Sequence, residues 1–201
     1  MQKKTALLLL GSVLIVATFL RLYHFKNLPP GLYPDEAVNA TNAVHALTTG
    51  DYRVFYPENN GREGLFMNMQ ALSLKFFGVY EPWSLRFPSA IIGILTVLGI
   101  FLLGRELFNT QVGLFASLFA ATSFWHITFS RIGFRAITAP FFLVFAIAFL
   151  LMAIRWAKEP RLRNFMPYLF AVLGGLSFGL GFYSYISYRT APLLLIPFLF
   201  F

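Results

Sequence analysis

The sequence contains no cysteine, which excludes thiolate metal sites, cysteine nucleophiles, redox switches and a disulfide-knotted scaffold. Charge is also scarce: Asp, Glu, Lys and Arg together make 12% of the 201 residues, where soluble chains carry about 25%. Acidic residues are the scarcest, 8 against 16 basic ones, and none interrupts a long apolar run. There is neither a fixed-period repeat nor a low-complexity tract, so solenoids and disordered tails are excluded. What is present is hydrophobic: 58% of the residues, 25 of them Phe, with a mean hydropathy of +0.68. Such a chain belongs in a bilayer. A net charge of +8 would suggest nucleic acid in a soluble protein. Here its meaning depends on where the basic residues sit, and no nucleic-acid partner is expected.

Apolar runs predict membrane-spanning helices at about 5–22, 87–104, 112–129, 137–154 and 165–183, with the start of another at 190–201. The first run follows Lys3 and Lys4 and is succeeded by Arg21-Leu22-Tyr23-His24 with no small-residue cleavage site, so it reads as a retained span and not a signal peptide. Because the last run stops at Phe201, the chain is expected to be the front part of a longer protein. Threading from a cytoplasmic N-terminus puts Lys3, Lys4, Arg105, Arg155, Lys158, Arg161 and Arg163 in cytoplasmic segments, as the positive-inside rule requires. The expected location is a cell membrane, plasma or inner, with a long loop, 23–86, on the outer face.

That loop holds Asp35, Glu36, Asp51, Glu58, Glu63 and Glu81, so its carboxylates mark a solvated region or a site. Pro34, with Asp35 and Glu36 in the first turn and Gly50 beyond the end, predicts a surface helix over about 34–48. Its Ala37, Ala40, Val44 and Leu47 form one face, and Asp35, Asn39 and Asn42 form another. A second amphipathic stretch, about 64–78, reads as an interfacial or re-entrant helix.

The candidate residues each admit two readings. Asp35 and Glu36 fit a general base at the membrane surface, or helix-terminal acids complementing the dipole. In Asn59-Asn60-Gly61-Arg62-Glu63-Gly64-Leu65, Arg62 suits bidentate phosphate contact, or the segment is a surface turn. Arg131 and Arg135, four apart at the outer end of a span, need a partner, which is a lipid phosphate or a loop carboxylate. Arg189 follows a Tyr-rich segment and fits a phosphate contact or an aromatic-belt anchor. His24, His45 and His126 show no metal-pair spacing; a divalent metal held by Glu63 or His126 with outside ligands is left open, as is direct substrate contact by these two residues. Asn39-Ala40-Thr41 matches a glycosylation acceptor triplet inside the expected helix. Gly174, Gly175, Gly179 and Gly181 read as a helix-packing stripe.

Taken in order, several motifs resemble the N-terminal part of a GT-C superfamily glycosyltransferase. These are Pro34-Asp35-Glu36-Ala37, Gly61-Arg62-Glu63-Gly64-Leu65-Phe66, Leu85-Arg86-Phe87-Pro88-Ser89-Ala90, Leu103-Gly104-Arg105-Glu106-Leu107-Phe108 and Phe129-Ser130-Arg131. The resemblance is to the group that contains the protein O-mannosyltransferases and lipid A aminoarabinose transferases, and it covers nearly the whole chain. It implies an all-α polytopic membrane bundle with interfacial helices in the first outer loop. It also implies a polyprenyl- or dolichyl-phosphate-linked sugar donor, a protein, lipid or glycan acceptor, and a catalytic cavity on the non-cytoplasmic side. On this sequence Asp35 matches the family's catalytic acid and Glu36 its neighbour, with Arg62, Arg131, Arg135 and Arg189 as donor-phosphate ligands. Two departures, Arg62-Glu63-Gly64 where many members have Lys-Pro-Pro, and no acid soon after Ser130-Arg131, leave a second acidic site and the sugar unassigned. Readings from other classes are a transporter or flippase of anionic lipid-linked sugars, and a non-catalytic membrane scaffold.

Overall fold

The computed structural model describes residues 2–58, 61–79, 81–158 and 165–199, with side chains as far as Leu194. Asn59 and Asn60 of the loop motif, and Glu159, Arg161 and Arg163 of the expected basic loop, lie outside the described residues. The architecture is a helical membrane bundle. α1 (Lys3–Leu22) leads into a segment containing α2 (Pro34–Thr49), a two-residue hairpin of β1 (Phe55–Tyr56) and β2 (Arg62–Glu63), and α3 (Leu65–Phe77). The bundle then continues through α4 (Pro82–Leu107), α5 (Thr110–Thr122), α6 (Phe124–Arg131), a 3-10 turn (Arg135–Ile137), α7 (Thr138–Ala157), α8 (Met166–Phe182) and a 3-10 segment (Ile186–Leu199).

Five full crossings were expected, but length and hydropathy support fewer among the described residues. α1, α4 and the continuous 135–157 helix are each long and apolar enough to span a membrane. The run at 112–129 is broken: α5 and α6 meet at Ser123 with a bend of 58°, and only together do they reach spanning length. α8, an apolar helix of 17 residues, reaches about 25 Å at 1.5 Å per residue, short of a hydrocarbon core of about 30 Å.

α4 is the hub, packing against α1, α3, α5, α6 and α7. Small residues let its neighbours close in. A Cβ on Gly113 would stand 2.6 Å from the Phe101 carbonyl oxygen, and one on Gly93 would stand 2.1 Å from Ser130 Oγ. Pro88 sits inside α4 and cannot donate to the Ser84 carbonyl four residues earlier. Ser73 Oγ of α3 donates to that carbonyl instead at 2.5 Å, and Gln70 Nε2 donates to Leu85 O at 2.8 Å. The proline thereby becomes the docking point of α3. On α8, Gly174 packs against the α7 backbone and Gly181 against the Tyr188 ring, whereas among the described residues nothing lies within 4 Å of a Cβ placed on Gly175 or Gly179.

Leu10 clusters with Phe101 and Leu114, and Ala17 with Val97 and Ala121, which sets α1 parallel to α5 and antiparallel to α4. Lys3, Lys4, Arg105, Arg155 and Lys158 accordingly gather at one end of the bundle, while the 23–86 segment caps the other. At the basic end Glu106 is buried and bridges Arg105 at 2.8 Å and Arg155 at 3.1 Å.

The break at Ser123 has an identifiable stabiliser. The end of α5 leaves carbonyls without helical partners, and Arg21, fully buried on α1, donates to Ala121 O at 3.1 Å and Ala120 O at 3.3 Å. Its remaining N–H groups reach Ala17 O, Ser130 Oγ and His126 Nδ1, the last at 2.7 Å. Arginine only donates, so Nδ1 of His126 accepts and the ring proton sits on Nε2. His126 thus joins α6 to α1.

A lysine offers a point charge in place of a planar fork and cannot reach all these acceptors. Arg21→Lys is therefore expected to destabilise the bundle by about 2–4 kcal/mol, read as a lower midpoint of thermal unfolding in detergent micelles. An unchanged midpoint removes Arg21 from this role.

Candidate functional site

At the end opposite the basic cluster, a cavity of about 330 Å³ is lined by Asp35, Asn39, Gly61, Arg62, Phe134, Arg135, Tyr185 and Ile186. Four parts of the chain build it. α2 supplies Asp35 in its first turn, where the helix dipole favours a carboxylate. Tyr33 N–H donates to Glu36 Oε2 at 2.9 Å across the start of that helix, and Gly50 ends it with φ +76.

The hairpin supplies Arg62 and Glu63. Its register pairs Phe55 with Glu63 and Tyr56 with Arg62. Gly64 closes it because no side chain fits there: a Cβ would lie 2.0 Å from the Arg53 carbonyl oxygen. The 3-10 turn after α6 brings Arg135, and the stretch after α8 brings Tyr185.

Arg62 is buried at 3% exposure, donates to Asn39 Oδ1, and meets Asp35 Oδ1 through Nη2 at 3.1 Å. Burial pushes its guanidinium below the usual range, and the charge of Asp35 opposes that shift. Asn39 Nδ2 in turn donates to Gly133 O at 3.3 Å. Glu63, also buried, accepts from Arg135 Nη1 at 2.7 Å and Arg189 Nη2 at 3.4 Å. The Arg135 guanidinium lies over the Tyr185 ring, 5.3 Å from its centroid.

The structure therefore brings together Asp35, Arg62, Arg135, Glu63 and Arg189, and separates three other candidates from them. Glu36 does not face the cavity: it is fully buried, and its carboxylate accepts from Arg86 Nε at 2.8 Å, Arg86 Nη2 at 3.1 Å, Gly133 N–H at 2.6 Å and Tyr33 N–H. Such a carboxylate has no oxygen to spare for a substrate. Arg131 donates to the carbonyls of Leu20, Tyr23 and Leu28 at 2.9, 2.7 and 3.1 Å, closing the C-terminal end of α1 and not the cavity. His126 belongs to the Arg21 cluster.

The amphipathic reading of α2 is corrected as well. Ala40, Val44 and Leu47 do pack against the buried Ala43, Ala46, Ala71, Leu74 and Leu85, but Ala37 is exposed and Asn39 and Asn42 are buried, so part of the polar face turns inward as well. Asn39 tolerates this because Arg62 and Gly133 satisfy it, and the same burial removes its own side chain from the accessible surface. Residues that sequence reasoning did not single out for the site are Asn39, Phe134, Tyr185 and the buried Arg86. One signal for Arg86 was available: a basic residue entering a span from the acid-rich side needs a partner. For a divalent cation the cavity wall offers Asp35, and no group of three His, Asp or Glu side chains comes together among the described residues.

Comparison with known proteins adds two findings. The family model described as dolichyl-phosphate-mannose-protein mannosyltransferase matches residues 65–201. The structure is similar to the oligosaccharyltransferase of Archaeoglobus fulgidus in its apo form, with a TM-score of 0.82 and 21% identity over 100% of this chain. It is also similar to AglB of that organism in complex with an inhibitory peptide and a dolichol-phosphate, with a TM-score of 0.80 and 21% identity over 98% of this chain. In both cases the chain spans 26% of the archaeal protein, about a quarter of its length. No curated protein sequence matches the chain. At this identity the likeness shows the fold, which is that of the GT-C membrane glycosyltransferases.

Among the described residues Arg86 is the cation paired with the Glu36 carboxylate, so Arg86→Met leaves it buried and uncompensated. The expected cost is about 3–5 kcal/mol, seen as loss of folded protein by size-exclusion chromatography in detergent. Adding Glu36→Met to Arg86→Met is expected to recover much of it, and equal instability of single and double variants contradicts the assignment.

Proposed function

Because the chain belongs to the dolichyl-phosphate-mannose-protein mannosyltransferase family, we propose that it forms part of a membrane glycosyltransferase moving a sugar from a polyprenyl- or dolichyl-phosphate carrier to an acceptor on the non-cytoplasmic face. The observation that carries this reading is the convergence of one cavity-lining carboxylate, Asp35, with two guanidinium groups, Arg62 and Arg135, from separate elements. The basic end of the bundle supports a cytoplasmic N-terminus in a cell membrane. The cavity, about 330 Å³, falls at the small end of ligand pockets, which span roughly 300–1,000 Å³. It suits one sugar with its phosphate. The archaeal relative's complex with a dolichol-phosphate and a peptide supports a lipid-phosphate carrier and a polypeptide acceptor.

In this transfer the bond between the anomeric carbon and the phosphate oxygen breaks as the acceptor oxygen or nitrogen bonds to that carbon. The lipid phosphate leaves as a stable anion and needs no general acid, so a single carboxylate is enough. Asp35 acts as general base and takes the acceptor's proton. Arg62 holds Asp35 in place through Nη2, and with Arg135 it stabilises the charge that grows on the departing phosphate. Phe134, Tyr185 and Ile186 form the apolar part of the cavity wall.

Asp35→Asn preserves size and hydrogen bonding but removes the base. Sugar transfer from a polyprenyl-phosphate-linked donor in membranes is expected to fall by about 10²–10⁴-fold, with membrane insertion and donor binding retained. Near-normal turnover removes Asp35 from the mechanism.

A further inference from the structure

A separate recess of about 430 Å³ opens on α4 between α3 and α7, which both pack on that helix. It shares no lining residue with the cavity. Its walls are apolar almost throughout, with Leu72, Phe76 and Phe77 from α3, Phe87 and Leu95 from α4 and Phe141 from α7. From Phe87 to Leu95 it follows α4 for about 12 Å at 1.5 Å per residue. That depth is close to the ~15 Å that one leaflet contributes to a hydrocarbon core of about 30 Å.

The mouth of the recess is charged. Phe77 and Phe87 both meet the Trp83 ring there, with centroids 5.0 and 6.5 Å away. Lys26 Nζ lies 5.5 Å from the centroid of the same ring, and Trp83 Nε1 donates to Glu81 Oε2 at 2.8 Å. One indole thus holds an exposed cation and an exposed carboxylate, and among the described residues neither has an ion-pair partner. Neighbouring charges are directed elsewhere. Arg131 donates to the carbonyls of Leu20, Tyr23 and Leu28, which fixes the segment that carries Lys26, and Arg86 is paired with Glu36. Lys75 shares an α3 face with Asn68, which bonds Tyr56 and the Arg53 carbonyl, about 100° round the helix from Phe76.

We propose that this recess binds one phospholipid with an ethanolamine headgroup, its acyl chain lying between α3 and α7, its phosphate on Lys26 and its ammonium on Glu81. An apolar wall nearly as deep as a leaflet fits a hydrocarbon chain and gives a sugar or a peptide no hydrogen bonds. The headgroup follows from the mouth. A phosphate beside a primary ammonium matches the opposite charges that Trp83 holds together. A glycerol headgroup leaves Glu81 facing an anion, and a choline headgroup has no N–H to donate to its carboxylate. The lipid fills the gap beside Pro88, where α3 docks on α4, and its binding does not depend on the reaction proposed for the cavity.

The test offers the purified, delipidated full chain equal amounts of phosphatidylethanolamine, phosphatidylglycerol and phosphatidylcholine with identical acyl chains, and reads bound lipid by native mass spectrometry. The unsubstituted protein is expected to retain one phosphatidylethanolamine, preferred about fivefold over either competitor. Glu81→Gln keeps an acceptor for Trp83 Nε1 but loses the charge, and is expected to abolish that preference. Lys26→Gln is expected to weaken all three lipids alike, by about fivefold. Both side chains are exposed, so neither change disturbs the packing of the bundle. Leu95→Trp fills the floor of the recess and is expected to prevent retention of any of the three. Retention of no lipid or of all three equally by the unsubstituted protein overturns the proposal. So does a preference that survives Glu81→Gln, an affinity that Lys26→Gln does not lower, or lipid binding undiminished by Leu95→Trp.

Discussion

The buried ion pair between Glu36 and Arg86 is the constraint on which the cavity end of the molecule depends. Two charges taken out of water are tolerable only when their remaining hydrogen-bonding capacity is met. The fold meets it with backbone: Tyr33 and Gly133 N–H groups on the carboxylate, and the carbonyls of Pro29 and Gly31 on the guanidinium. That requirement draws together the segment leaving α1, the start of α2, the start of α4 and the loop between α6 and the 3-10 turn. Gly133 matters because a Cβ there would come within 2.9 Å of Gln70 Nε2 and 3.2 Å of Glu36 Oε1. Asp35 follows from the same pair: with Glu36 fixed inward, the preceding residue is turned toward Arg62 and the cavity.

Deeper in the bundle, charge is handled without carboxylates. Arg21 of α1 donates to the terminal carbonyls of α5, and Arg131 of α6 donates to carbonyls at the end of α1. Each helix end carries partial negative charge where its carbonyls lack partners, so each arginine meets a dipole, and together they tie α1 to both halves of the broken α5–α6 segment. Lipid tails offer no hydrophobic drive for helices to associate, and satisfying helix ends in this way supplies a directional one.

The sequence announced its helices through hydropathy and punctuation. Pro34 and Gly50 delimit α2, Pro82 opens α4, and Asn109 caps α5 by accepting from Gln111 and Val112 N–H at 3.0 Å. It also placed Asp35, Arg62, Glu63 and Arg135 among the chemically interesting residues, since charge is rare in such a chain. What it could not show was which way each would point. The bend at Ser123 depends on a donor more than a hundred residues away, so no local signal marks it. The inward turn of Asn39 depends on Arg62 and Gly133, which periodicity does not see. Asp35 and Glu36 are adjacent and similar, and only three-dimensional partners separate a cavity carboxylate from a buried one.

Under the proposed transfer, that separation also accounts for how few acids the site needs. An ordinary glycoside-cleaving site keeps two carboxylates apart to serve as acid and base, whereas a site that expels phosphate needs one carboxylate and positive charge arranged around it. Of the buried or half-buried acids near the cavity, Glu36 is committed to Arg86 and Glu63 to Arg135 and Arg189, and Asp35 reaches the cavity wall. Arginine then does two kinds of work in the same small volume. Arg86 neutralises a structural acid and sets the frame, while Arg62 and Arg135 bring guanidinium groups to the cavity from elements that this frame holds in register.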